Sequence, residues 1–139
     1  MNSGPHIENH TQIVFEDHEA ALANPHRYME IIIRVPDILE SWRESLFSFE
    51  WIWRDGRIKT LQELPENERV LRQAVEDKIR QGRALPKPVL GIGLMDNVEI
   101  GSGRAVFLVM ADRGLGKMPV HIPKSNEEDF KAFLADISS

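Results

Sequence analysis

The 139-residue chain contains no cysteine, so it can form neither a disulfide nor a thiolate metal site, and it has no cysteine nucleophile. Its apolar runs all fall short of the ~20 residues that a membrane-spanning helix needs. The N-terminal stretch MNSGPHIENH lacks the basic and then apolar order of a signal peptide. These absences favour a cytoplasmic protein with no membrane partner.

Positive charge is scarce as well, because 17 Lys and Arg stand against 22 Asp and Glu and the net charge is -5. Proteins that grip nucleic acid usually carry a basic footprint, so this balance argues against non-specific DNA binding. The segment 78–87, however, holds four cations and no acid. We therefore expect one local basic patch, the candidate surface for nucleic acid, formed by Lys78, Arg80, Arg83 and Lys87.

The first 27 residues show little periodicity, and we interpret them as a flexible tail with one helical turn near residues 16–23. The remaining residues, 28–139, are expected to form a single domain. His6 and His10 in the tail have the i, i+4 spacing of helical metal ligands. Pro5 and the polar surroundings offer no rigid frame for that pair, so we expect no metal site.

Apolar periodicity predicts an α+β domain with a small mixed β-sheet and surrounding helices. Predicted strands cover 29–35, 89–93, 97–100 and 118–122. Predicted helices cover 36–46, 63–82, 104–113 and about 125–136.

An aromatic row lies at every second position of FSFEWIW, which is the spacing of a strand with one inward face. Its members are Phe47, Phe49, Trp51 and Trp53. Asp55-Gly56 is a favoured hairpin turn, so an N-terminal aromatic β-hairpin is predicted. Such a row could instead be a platform on which the bases of single-stranded nucleic acid stack. Core packing is the favoured interpretation, since large aromatic side chains dominate the energetics of small cores.

The turn GSGR, residues 101–104, ends a strand and opens a helix with seven apolar residues in a row, 105–111. A helix N-terminus leaves backbone N–H groups unpaired, and with the helix dipole these attract anions. Ser102 adds a hydroxyl and Arg104 adds a planar fork suited to phosphate. Gly101 and Gly103 could also serve tight packing alone. Gly101, Ser102, Gly103 and Arg104 are therefore the candidate ligand-binding residues.

The order of elements resembles the ParB/sulfiredoxin superfamily, the ParB-like nucleases, over about residues 57–123. The resemblance lies in the helix LRQAVEDKIRQGRALP, the strands KPVLGIG and NVEIGSGR, the apolar helix, Gly114 and the strand MPVHI. LPENER also looks like the segment that precedes the first helix of the family. The resemblance implies a Gly-x-x-Arg turn that binds the phosphates of a nucleotide in ParB relatives and carries the catalytic cysteine in sulfiredoxins. It also implies a nucleotide with Mg as the candidate cofactor and a role in plasmid, phage or chromosome maintenance.

The sequence departs from the family in its basic cluster, which is reduced to one arginine. If Gly101 is the motif glycine, Arg104 is the motif arginine; if Gly103 is, the spacing to Gly114 fits better but the basic positions fall on Ala105 and Val106. Sulfiredoxin chemistry is excluded because no cysteine exists. We expect a domain that binds a phosphate-bearing ligand, a nucleotide or a nucleic-acid backbone. The alternative is a catalytically inert protein–protein interaction module, and a small nuclease is less favoured.

Two residues near the turn are weak candidates for catalysis. Glu99 could hold a divalent metal beside a phosphate or pair with Arg104, and the ion pair is the favoured interpretation. His121 alternates with Val120 and Ile122 along a strand and could act as a general base. A structural role is favoured for it, as for most lone histidines on strands.

Overall fold

Six strands and four α-helices follow one another along residues 13–135, the part of the chain that the computed structural model describes. The strands are β1 (Phe15–Glu16), β2 (Tyr28–Arg34), β3 (Leu85–Pro86), β4 (Val89–Ile92), β5 (Val98–Ser102) and β6 (Lys117–Pro123). The α-helices are α1 (Glu19–Ala23), α2 (Val35–Trp42), α3 (Glu66–Arg80) and α4 (Arg104–Asp112). Among these residues, no helix is long and apolar enough to cross a membrane.

The central sheet is mixed and has the strand order β2-β6-β4-β5. β2 pairs antiparallel with β6 along its whole length, from Tyr28 opposite Pro123 to Arg34 opposite Lys117. β4 runs parallel to β6 and antiparallel to β5, with which it forms a hairpin. The predicted α+β class with a small mixed sheet is confirmed, since the β-branched run in β2 and the short apolar runs in β4 and β5 form strands.

Helix α4 forms the centre of the core. Six consecutive residues, Ala105 to Met110, are buried, so this helix is covered on every side. A helix that is apolar all round belongs in an interior. It packs against α3 and α2, and the buried faces of α2 and β6 complete the core with Ile38, Trp42, Val120 and Ile122.

The predicted aromatic strand is wrong. Ser48–Glu50 form a 3-10 helix, and the only strand pairing in this loop is a single bridge between Ile52 and Ile58. Trp51 is 0% exposed, whereas Phe47, Phe49 and Trp53 are 53%, 67% and 38% exposed.

Local hydrogen bonds explain why the aromatic row does not extend into a strand. The Ser45 hydroxyl accepts a hydrogen bond from the Phe47 N–H, and the Ser48 hydroxyl donates to the carbonyls of Ser45 and Arg43. Serine side chains that bond to nearby backbone compete with ladder pairing. The predicted turn is present, with Gly56 at a φ of 93°.

The C-terminal region also differs from its prediction. A helix was expected from about 125 to 136, but Lys124–Asn126 and Glu128–Phe133 are two 3-10 segments. Phe130 is fully buried, and Leu134 forms a bridge with Ile33. Burial of Phe130 and the bridge to Ile33 hold this segment along the edge of the sheet. It therefore does not form a regular α-helix.

The expected boundary of the tail at residue 27 is too late. β1 pairs in parallel with β3, and the N–H groups of Leu85 and Lys87 donate to the carbonyls of Val14 and Glu16. Residues 13–27 are therefore part of the domain. His6 and His10, where no metal site was expected, lie outside the described residues.

Candidate functional site

The turn between β5 and α4 is closed by its second glycine. Gly103 is the N-cap of α4 and has left-handed backbone angles, φ 81° and ψ 29°. A Cβ at this position would lie 2.9 Å from the Cα of Pro88. Glycine is required for both reasons, so tight packing accounts for Gly103 without any ligand. Gly101 is exposed and Ser102 is half-buried beside it.

Arg104 is held inside the domain by carboxylates and aromatic rings. Its Nη1 lies 3.2 Å from Glu50 Oε1 and 3.6 Å from Glu68 Oε1. Its guanidinium lies 5.8 Å from the ring centre of Trp42 and 5.4 Å from that of Phe47. Two carboxylates against one guanidinium leave no excess positive charge for a phosphate at this side chain.

The buried carboxylate of Glu68 explains why an arginine is needed at this point. Glu68 accepts a hydrogen bond of 2.7 Å from the indole N–H of the buried Trp51 and is itself buried. A buried carboxylate needs a cation and hydrogen-bond donors nearby. Arg104 supplies the charge, so its first role is that of a structural counter-ion.

Glu99 does not pair with Arg104, contrary to the expectation. One oxygen accepts a 2.7 Å hydrogen bond from the Ser45 hydroxyl, and the other accepts one of 3.1 Å from the Asn97 amide. Both donors are neutral, so the negative charge of Glu99 has no cationic partner among the described residues.

An open cleft of about 730 Å³ lies beside the turn, between the loop after α2 and the tip of the β4–β5 hairpin. Four of its lining side chains are large, apolar and exposed: Leu46 (86%), Phe47 (53%), Leu94 (104%) and Met95 (80%). We call this feature the apolar cleft. Glu44, Glu99, Gly101 and Arg104 also line it.

The sequence of the β4–β5 hairpin carries a signal for this cleft. In the hairpin sequence GIGLMDN, the tip carries Leu94 and Met95 where turns usually carry polar residues. Asp96 adopts a positive φ of 63°, which an aspartate tolerates at a tight turn. The turn thus holds two apolar side chains away from the core.

The predicted basic patch is largely neutralised. Lys87 lies 2.7 Å from carboxylate oxygens of both Asp17 and Glu30, and Arg80 pairs with Asp77. Partial burial lowers the pKa of Lys87, but its hydrogen bonds to those two carboxylates outweigh this and raise it above the ordinary value. The segment therefore does not present four unpaired cations together.

Lys78, in the last turn of α3, faces the first turn of α4. It lines a cavity of about 250 Å³ with Gly103, Arg104, Ala105 and Val106 at the first turn of α4. No side chain caps the N–H groups of that turn, which an α-helix leaves without partners of its own.

His121 lies beneath the N-terminal segment and away from the apolar cleft. Its Nε2 accepts a hydrogen bond of 3.2 Å from the His18 N–H and lies 3.7 Å from Asp17. Burial lowers the pKa of His121, so its neutral form is favoured. His121 and Glu99, the two catalytic candidates, are not brought together. Within residues 13–135, no group of three acidic or histidine side chains is arranged to hold a metal ion.

Comparisons with protein-family models, with curated proteins and with solved structures find no match to this chain. The resemblance to the ParB/sulfiredoxin superfamily therefore stays a prediction.

Proposed function

We propose that this domain is a non-catalytic binding module that holds a segment of a partner protein in the apolar cleft. The observation that carries the proposal is the exposure of Leu46, Phe47, Leu94 and Met95 around one opening. They come from two separate loops, so the patch is built by the fold rather than by one irregular segment. Contiguous exposed apolar side chains of this size mark interaction sites, and Phe and Met are enriched in them.

Charge complementarity indicates the chemistry of the partner. Glu44 and Glu99 line the apolar cleft without cationic partners among residues 13–135, and the charge of Arg104 is already balanced by Glu50 and Glu68. The cleft is thus lined by apolar side chains and by two carboxylates that have no cationic partner among these residues. A partner segment that combines apolar and Lys or Arg side chains fits this surface.

The protein's lack of cysteine allows a direct test. A single cysteine in place of Ser125, which is exposed and does not line the cleft, accepts one fluorophore. We expect an amphipathic peptide with alternating leucine and lysine faces to bind, as measured by the change in fluorescence anisotropy. A peptide of the same pattern with glutamate in place of lysine should bind at least about tenfold more weakly, because its carboxylates would be repelled by those of Glu44 and Glu99.

Matched variants localise the binding. Leu94→Ser with Met95→Ser should remove peptide binding, whereas Val70→Ser, which alters an exposed apolar residue on α3, should leave it unchanged. Equal binding of the lysine and glutamate peptides, or equal loss in the α3 variant, would contradict the proposal.

Binding of a phosphate-bearing ligand, as the resemblance implies, is the second candidate function. One observation favours it: the uncapped first turn of α4 and Lys78 border the same cavity of about 250 Å³. A helix N-terminus and a nearby ammonium together attract phosphate. The cation for this ligand would be Lys78 rather than Arg104, and a role in plasmid, phage or chromosome maintenance would follow from the resemblance.

Thermal unfolding with inorganic phosphate and with nucleotides, each with and without Mg²⁺, tests this second candidate. A ligand at 100 times its dissociation constant adds about 2.7 kcal/mol to the free energy of unfolding. Lys78→Gln should abolish that gain, and Arg83→Gln, at an exposed position beyond the helix, should retain it. If none of these ligands stabilises the protein, binding of a phosphate-bearing ligand is excluded as its function.

A further inference from the structure

We propose that a further depression, which Phe47 does not line, binds single-stranded nucleic acid. It has a volume of about 250 Å³ and is lined by Arg43, Ser48, Phe49, Ile52, Trp53 and Arg54. We call it the arginine depression, because both charged residues that line it are arginines. The inference is independent of the partner site in the apolar cleft, with which it shares no lining residue.

Two exposed aromatic rings supply stacking surfaces. Phe49 is the more exposed of them, and it makes no ring or cation contact with the other described residues. Trp53 is held in place, because its indole N–H donates to Glu63. Two cations already lie over its ring, the Lys59 ammonium 4.4 Å and the Arg57 guanidinium 5.8 Å from the ring centre, so Phe49 is the main stacking surface. An ordered aromatic ring stacks on a nucleobase of any sequence, since every base has a π-face.

The arginines supply contacts for phosphate. The guanidinium of Arg43 packs against Gly56 and donates a 3.1 Å hydrogen bond to the Arg54 carbonyl, which leaves its other donors available. Arg54 is exposed, and its guanidinium makes no ion pair with the residues that the structure describes. A guanidinium fixed by backbone contacts binds a phosphate at low entropic cost.

The carboxylates of Asp55 and Glu63 form hydrogen bonds within the loop itself. Asp55 accepts a hydrogen bond from the Arg57 N–H, and Glu63 accepts from the Thr60 N–H and from Trp53. Its hydrogen bond from the Thr60 backbone is the main reason why the pKa of Glu63 is lowered. Neither carboxylate lines the depression. The net charge of -5 therefore does not describe this surface.

Single strands fit this arrangement better than duplexes. Stacking requires bases that are free of their partners, and a duplex offers only its phosphates to such a surface. With about two phosphates contacted, the logarithm of the affinity should fall with the logarithm of salt concentration with a slope of about -1.4.

Anisotropy of a fluorescent oligothymidylate at low ionic strength, with a duplex of equal length as competitor, tests the inference on the full chain. We expect the single strand to bind and the duplex to compete poorly. Phe49→Ala should weaken binding roughly 5- to 150-fold, the loss of one stacked base. Arg54→Gln should reduce the salt slope by about 0.7, the value for one phosphate.

The controls are residues of the same type that do not line the depression. Phe47→Ala, at the apolar cleft, and Arg83→Gln, far along the chain, should leave oligonucleotide binding unchanged, and thermal unfolding should show all four variants folded. If the single strand does not bind at low salt, the inference is overturned. Equal binding of the duplex, or equal loss in Phe47→Ala, overturns it too. If Phe49→Ala instead loses the leucine–lysine peptide and no oligonucleotide binds, the depression belongs to the protein partner.

Discussion

The turn at 101–104 and the loop at 43–54 differ in whether their charged side chains have ion-pair partners and whether their side chains are exposed. At the turn, Arg104 is balanced by Glu50 and Glu68 and covered by aromatic rings. In the loop, Phe49 and Arg54 are exposed. The turn has the spacing of a ligand-binding motif but the charge of its arginine is already balanced, whereas the loop has no motif but exposes an arginine without an ion-pair partner among the described residues.

A glycine-rich turn before a helix can have a purely structural role, as the turn at 101–104 does. The left-handed conformation of Gly103 and its contact with Pro88 are needed for β5 and α4 to meet at this distance. Arg104 then serves the buried carboxylate of Glu68. The exposed aromatic and charged side chains lie instead in the connecting loops, where binding residues are often found.

The largest loss of stability is expected on replacement of Trp51, and replacement of Trp53 in the same loop is its matched comparison. Trp51 is fully buried and donates to Glu68, whereas Trp53 is partly exposed. We expect Trp51→Ala to lower the free energy of unfolding by about 3–5 kcal/mol. Trp53→Ala should cost about 1 kcal/mol or less, because part of the ring is already in water. Urea denaturation measures both, and equal losses would show that the two rings share one core.

Replacement of Arg104 tests whether this arginine is a structural counter-ion. Arg104→Ala leaves Glu68 buried without its cation, so we expect a loss of about 3 kcal/mol. Arg54→Ala, the matched change in the loop, should stay within about 0.5 kcal/mol of the wild type.

The double variant Arg104→Ala with Glu68→Gln separates charge from packing. It should recover part of the stability, since the buried charge is removed together with its partner. If Arg104→Ala is as stable as the wild type and loses phosphate binding, the turn is a ligand site and the contrast with the loop fails.

Two glycines with similar backbone angles isolate the contact with Pro88. Gly103 and Gly114 have φ values of 81° and 83°, but a Cβ at Gly114 would meet nothing within 4 Å. Gly114→Ala should cost about 1 kcal/mol for its left-handed conformation, and Gly103→Ala about 2–3 kcal/mol because of the added clash. Thermal unfolding compares them. Equal costs would mean that β4 and α4 can move apart, and the turn would then be less rigid than its geometry indicates.

The smallest effect is expected at His121, a second closed polar site. Its Nε2 accepts a hydrogen bond only when the ring is neutral, and Asp17, Lys87, Glu30 and His18 are the charged and titratable groups around it. Burial lowers the pKa of His121 below its ordinary 6.5. The unfolded chain therefore binds the proton more readily, so this stabilisation is present above about pH 6.5 and is lost as the pH falls through the lower pKa of the folded state.

Urea unfolding between about pH 7.5 and about pH 5 measures this dependence. It should weaken in His121→Gln and persist in His26→Gln, which alters an exposed histidine. Asp17, whose pKa is lowered by its hydrogen bond from Lys87, contributes in a separate window below its ordinary 3.8. A pH dependence that His121→Gln leaves intact would assign the effect to another group.

Local periodicity alone determined most of the secondary structure. β2, α3 and α4 could be predicted because a repeating pattern of apolar residues has one conformation that buries it. The turn at Asp55-Gly56 followed from backbone preferences within a few residues. The mixed α+β architecture followed from these elements and their order.

Only the tertiary structure decided which side chains remain exposed, because their partners are distant in sequence. Lys87 is neutralised by Asp17 and Glu30, and Arg104 by Glu50 and Glu68. Alternation could not tell Trp51 from Trp53, since the serines of this loop replace ladder pairing with local hydrogen bonds. Charge neutralisation and aromatic burial depend on contacts across 17 to 70 residues, a range over which no sequence pattern repeats.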